Sequence, residues 1–174
     1  PSGAFSPNAH YYLSAIFADQ KNTVAALEHS GKVLEYPDNE FSEEAMVINA
    51  SLLMNEKKYK DALPVYKRLK EKASTVENRS LAQTGILRSA YMAGEQKDAV
   101  IAATDLLSNK KLTPELVNEA TYYRAKAYLS LQDDKAAIKD LQALAKDTRT
   151  FYGAEAKYLL AQLYFNAGEK ALAE

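Results

Sequence analysis

The sequence predicts an all-α fold, an array of about five helix–turn–helix repeats. Three observations carry that prediction. The composition favours helix: Ala and Leu are abundant, while the 174 residues hold only six Gly and five Pro and no Trp. Ala and Leu lose little on entering a helix, whereas Gly and Pro cost the most. Second, two alanine ladders run in lockstep. Ala9, Ala45, Ala82, Ala120 and Ala156 are spaced 36, 37, 38 and 36 apart, and Ala26, Ala62, Ala99, Ala137 and Ala173 repeat those intervals 17 residues later. Third, capping and breaking residues punctuate the chain into short helical segments.

The clearest unit is Asn118–Leu144, which reads as two short helices joined by a tight turn. Ala120 and Ala137 sit where those helices would press together. Ser14, Ala50, Leu87, Ala125 and Ala161 follow the first ladder by five residues, and all but Leu87 are small. Val33, Leu69, Leu106 and Leu144 follow the second by seven. Within each copy the apolar spacing of three or four marks one helix face. Small residues let two helices approach, and large ones a turn away fill the space left between them.

Helix starts follow in order. Ser6-Pro7 and Thr113-Pro114 place a capping hydroxyl before a proline suited to the first helical position. Ser42 precedes Glu43 and Glu44, whose charge suits a helix N-terminus. Ser74 and Glu77 have capping-box spacing. Breaks are predicted at 21–22, 36–39, 56–58, 72–75, 94–96, 109–113, 132–133, 147–152 and 168–169, giving about nine helices and part of a tenth. Pro64 falls early in one of them, tolerable in the first turn and kinking further in. No strand-like alternation persists, and no Pro- or Gly-rich linker marks a boundary. One array domain is expected, with repeats near 7–40, 41–77, 78–115, 116–151 and an incomplete 152–174.

Composition also bounds function. With 22 basic and 23 acidic side chains, nothing electrostatic points to nucleic acid or an anionic membrane surface. No apolar run approaches the roughly 18 residues that span a bilayer. Cysteine is absent, which removes disulfides, thiol nucleophiles and Cys-based metal sites. His10 and His29 lie in different helices of the first copy, without a ligand pattern around them. Packing or surface roles are expected for both, with no metal and no cofactor. Carboxylates such as Glu43, Glu44, Asp133, Asp134 and Glu155 sit at helix starts, where the backbone favours negative charge. Lys57-Lys58 and Lys110-Lys111 read as solvated turn residues. No enzymatic constellation emerges.

The repeat unit resembles the tetratricopeptide repeat, a helix–turn–helix of about 34 residues. Ala120, Ala125 and Ala137 match its small residues, and Tyr128 its large one. The family's turn glycine is matched by Gly94 and Gly168, while Lys21, Lys57 and Gln132 depart from it; the aromatic after the turn survives only as Tyr59. Two junctions, Tyr36-Pro-Asp-Asn-Glu-Phe-Ser-Glu-Glu-Ala45 and Asp147-Thr-Arg-Thr-Phe-Tyr-Gly-Ala-Glu-Ala156, resemble those of bacterial periplasmic tetratricopeptide proteins. That resemblance favours a periplasmic or cell-envelope setting over the cytoplasm. Asn39 stands where those junctions usually carry serine, and the second lacks the proline.

The resemblance implies a right-handed α-α superhelix, a tetratricopeptide solenoid, whose concave groove is lined by the first helix of each repeat. Groove positions would then hold Tyr11, Met54, Arg88, Tyr91, Tyr122, Lys126, Leu129, Tyr158, Gln162 and Phe165. A row of tyrosines beside apolar and amide groups suits an extended peptide or an amphipathic helix; the competing role for each tyrosine is packing on the next repeat. Val47, Tyr122 and Tyr158 occupy the first place of the carboxylate clamp used by the co-chaperone subclass, which rules that subclass out. The expected function is therefore non-enzymatic binding of a peptide or partner protein. The alternative is a structural spacer or oligomerisation module of a larger envelope protein. Ala173 extends the second ladder to the last residues, so continuation of the array is expected, and the apolar face of the last repeat offers a surface for self-association.

Overall fold

The computed structural model describes residues 6–168. Among these residues there are nine α-helices and no strand: α1 (Ser6–Asp19), α2 (Thr23–Glu35), α3 (Ser42–Asn55), α4 (Tyr59–Lys72), α5 (Val76–Met92), α6 (Gln96–Leu107), α7 (Pro114–Ser130), α8 (Asp134–Leu144) and α9 (Phe151–Asn166). The first helices α5, α7 and α9 begin at Val76, Pro114 and Phe151, one or two residues ahead of the expected repeat starts. The expected tenth helix, with Ala173, lies outside the described residues. No described helix is long and apolar enough to cross a membrane.

Side chains close most of the helix starts. Thr113 accepts from the Leu116 backbone N–H, with Pro114 opening α7. Asn22, Thr75, Asp133 and Thr150 cap α2, α5, α8 and α9 in the same way. The expected Ser74–Glu77 capping box does not form. Thr75 is the cap, accepting from Asn78 N–H, and the Ser74 N–H donates instead to the Glu43 carboxylate at 3.0 Å. Glu43 of α3 thus takes the N–H that the Glu77 carboxylate would accept in a capping box. Ser42 opens α3 rather than capping it; its hydroxyl accepts from Asn39 N–H. Helix α9 starts at Phe151, inside the break expected at 147–152, because Thr150 caps it. Pro64 lies beyond the first turn of α4, on its exposed side, and the helix runs on to Lys72.

The five intra-repeat turns share one backbone device. Lys21, Lys57, Gly94, Gln132 and Gly168 all have positive φ, between 58° and 81°. The turn therefore demands the left-handed conformation in every copy, including the three whose residue departs from glycine.

The chain divides into two compact units, Pro1–Ala93 and Gly94–Glu174, separated between the two helices of the third copy. In the first unit α1 packs on α2, α2 on α3, α3 on α4 and α4 on α5, and the first helices α1, α3 and α5 touch in order. In the second, α6 packs on α7, α7 on α8 and α8 on α9, and α7 meets α9. Ala45, Ala82, Ala120 and Ala156 of the first ladder, and Ala26, Ala62, Ala99 and Ala137 of the second, are completely buried. Val33, Leu69, Leu106 and Leu144 are buried beside them. Among the described ladder alanines Ala9 alone departs: it is exposed. Gly85 has a different reason to be small. A Cβ there would lie 2.5 Å from the Tyr66 ring, so its absence lets Tyr66 of α4 lie against α5.

Candidate functional site

The first helices carry the candidate groove residues, and each unit is taken in turn. In the second unit α7 packs against α6, α8 and α9, and α9 against α7 and α8. Tyr122, Lys126 and Leu129 recur on α7 at intervals of four and three, which places them in one row. Phe151, Glu155, Tyr158, Gln162 and Phe165 recur on α9 at four, three, four and three.

These rows are not uniform. Tyr122 is half-buried and belongs partly to the core formed by Ala125, Leu141, Leu144, Ala156 and Leu160. Its ring lies 5.3 Å from that of Tyr152 and 6.4 Å from that of Phe151. Its hydroxyl reaches the Glu155 carboxylate at 3.4 Å, a long contact. On α9, by contrast, Phe151, Tyr158 and Phe165 are 68%, 60% and 64% exposed. Gln162 donates to the Tyr158 hydroxyl at 2.7 Å, which orients both groups along the helix surface. Leu160 and Leu163 point the other way, into the core against α8.

In the first unit Tyr11 of α1 is half-buried, its ring 5.2 Å from Phe41 and 5.2 Å from Tyr12. Met54 of α3 and Tyr91 of α5 are half-buried, and Arg88 of α5 is exposed. Burial pushes the Tyr91 phenol above its ordinary range. Burial does the same to Tyr66 of α4, partly offset by a Ser51 hydrogen bond and the Arg88 charge. Arg88 thus stands near Tyr66 as well as on the open side of α5.

One feature is invisible in the groove positions alone. Tyr11 and Tyr122 each meet an aromatic residue 30 positions later, Phe41 and Tyr152, at nearly the same distance. Phe41 and Tyr152 both stand four residues ahead of a first-ladder alanine. The signal is present in the sequence at the start of each first helix, once the repeats are set against one another. In both cases the tyrosine meets an aromatic at the start of the next repeat. Tyr158, at the same place in the fifth repeat, is exposed.

His10 and His29 are brought together in the first unit, although neither was expected to matter beyond packing. Among the described residues no group of three or more His, Cys, Asp or Glu side chains could hold a metal ion.

No protein-family model matches this chain, and no curated protein does. Solved structures do. The MamA protein superposes with a TM-score of 0.74 at 16% identity, over 98% of this chain and 87% of that one. A tetratricopeptide repeat protein from Parabacteroides merdae ATCC 43184 gives 0.68 at 18% identity, over 95% of this chain and 62% of that one. TPR-like repeats of a protein described as a Podosopora anserina kinesin light chain give 0.62 at 13% identity, over 98% and 92%. With nine described helices, buried alanine ladders and five left-handed turns already in place, these likenesses identify the fold as that of tetratricopeptide-repeat proteins.

Proposed function

We propose that this chain is a non-enzymatic interaction scaffold that binds a peptide or partner protein along its first helices. The observation that carries the reading is the row of exposed aromatics on α9, Phe151, Tyr158 and Phe165, beside Gln162 and the α7 row Tyr122, Lys126 and Leu129. Large aromatic groups in water at regular spacing, interleaved with amide and charged groups, supply apolar anchors and orienting hydrogen bonds together. The fold's use of repeats to build extended surfaces supports the same reading. The junction at Tyr36–Ala45 favours a bacterial cell-envelope setting.

Tyr158 is the sharper probe, because its exposure makes truncation harmless to the fold. Tyr158→Ala with Phe165→Ala should weaken binding of a partner isolated by pull-down at least tenfold, while adding Tyr122→Ala should also lower stability. Unchanged affinity in the Tyr158/Phe165 double variant, measured by calorimetry, would remove α9 from the binding surface. A second reading, self-association through the last repeat, is favoured by the same exposed aromatics. Leu160 and Leu163 are core residues, so the substitution that should break such a dimer is Phe165→Glu, read by sedimentation at several concentrations.

A further inference from the structure

The chain has two histidines, and the fold puts them in contact. His10 comes from α1 and His29 from α2, with their Nδ1 atoms 2.9 Å apart. The ring centroids are 5.1 Å apart and the planes differ by 28°. That centroid separation is barely the Nδ1–Nδ1 distance plus two ring radii, so the nitrogens face each other nearly in line. Such an arrangement fits one shared proton, N–H···N, and not two lone pairs converging on a metal. Phe17 lies 5.5 Å from the His29 ring and within 7° of parallel, holding that imidazole in place.

Proton bookkeeping then fixes the behaviour. Two neutral imidazoles make the bond if one carries its hydrogen on Nδ1 and the other on Nε2. A first added proton, taken by the donor ring at Nε2, leaves the bond intact and charge-assisted. A second added proton must go to the accepting Nδ1. Both Nδ1 atoms then carry hydrogens, and two positive rings face one another across 2.9 Å. We infer that the His10–His29 contact is a proton-operated latch that holds α1 on α2 and opens when both imidazoles are charged.

The charged surroundings agree. On α2, Lys32 opposes a further positive charge, while Glu28 and Glu35 favour it; Glu28 is itself bonded to Lys32. The remaining ionisable groups of α1 are Tyr11, Tyr12 and Asp19. On α3 they are Glu43, engaged with Ser74 and Asn78, and Glu44. Burial, then the His29 and Lys32 charges, hold His10 below its ordinary value of 6.5. A base with a depressed folded value contributes stability that is present above 6.5 and lost as pH falls through the lowered value. Opening would release α1, which also carries Tyr11.

Because histidine is the one side-chain type that ordinarily titrates between pH 5 and 8, and the chain has two, any change in that window is assignable. The test is imidazole nitrogen NMR with amide exchange at pH 7.5 and pH 5 on the full chain. In the unsubstituted chain, protection factors in α1 and α2 should fall roughly tenfold or more relative to α4 at the lower pH. In His29→Phe, which keeps a ring on Phe17, the His10 midpoint should rise as the His29 charge is removed, with burial still holding it below 6.5, and the fall in α1 protection should shrink several-fold. His29→Gln serves if the phenylalanine variant does not fold. Equal α1 and α4 protection ratios at the two pH values, or a His10 midpoint unmoved by either substitution, would overturn the latch.

Discussion

At residue scale the left-handed turn decides more than any single side chain. The family's turn glycine is present in two copies, yet all five turns have positive φ. An L-residue there pays roughly 1–2 kcal/mol for the clash of its Cβ with the following carbonyl. Glycine avoids that cost but loses about 0.5–1 kcal/mol more backbone entropy on folding. The difference leaves a modest net gain. Gln132→Gly should therefore stabilise the second unit by up to about 1 kcal/mol, read as a higher urea midpoint with an unchanged m-value. Gly94→Ala should move the midpoint the other way. An unaltered midpoint in Gln132→Gly would mean that the strain is absorbed elsewhere. The sequence displayed the turn's position but not its conformation, because lysine and glutamine give no sign of φ until five equivalent positions are compared. The same limit applied at Ser74: its spacing to Glu77 was real, but the carboxylate that captures its N–H lies 31 residues away.

At the scale of elements the ladders were readable because small size at a close helix contact leaves a periodic trace. Ion pairs leave none. Arg124 of α7 grips Asp140 of α8 through Nε at 2.7 Å and a second nitrogen at 2.8 Å, and also reaches Thr104 of α6 at 3.3 Å. Hydrogen bonding to Asp140 raises the guanidinium further above its ordinary range. Asp140 is buried, so this fork ties α6, α7 and α8 together where water cannot replace a lost partner. Asp140→Ala should leave a half-buried guanidinium unpaired and cost about 3 kcal/mol, whereas removing both partners with Arg124→Leu and Asp140→Leu should cost much less. Thermal or urea unfolding of the two variants separates these cases. Equal losses would mean the fork contributes only packing. The aromatic pairs Tyr11–Phe41 and Tyr122–Tyr152 were hidden for a related reason: each partner lies outside the helix pair that defines a repeat. Tyr11 and Tyr122 meet an aromatic at the start of the next repeat, whereas Tyr158 is exposed. The groove row read from position alone therefore mixed packing residues such as Tyr122 with open ones such as Tyr158.

Across the whole molecule, contacts within each unit join helices adjacent in the chain, or first helices of successive repeats. Nothing in that pattern ties distant segments directly, so stability should behave as a sum of local terms and neighbour interfaces. Gly153 offers a clean perturbation. It is buried at the start of α9, and a Cβ there would lie 2.0 Å from the Asp147 carbonyl oxygen and 2.9 Å from that of Leu144. Both obstacles are backbone, which cannot swing aside as the tip of a side chain can. Gly153→Ala must therefore push α9 away from the end of α8, weakening the core of Leu141, Leu144, Ala156 and Leu160. Overpacking of this kind costs about 1–3 kcal/mol or more. If neighbour terms govern the array, that loss stays local. Amide exchange in α8 and α9 should accelerate roughly tenfold or more, while α2, α3 and α4 keep their protection. A uniform acceleration from α2 to α9 would instead mean that the array opens as one cooperative body, and the independent treatment of its repeats would fail.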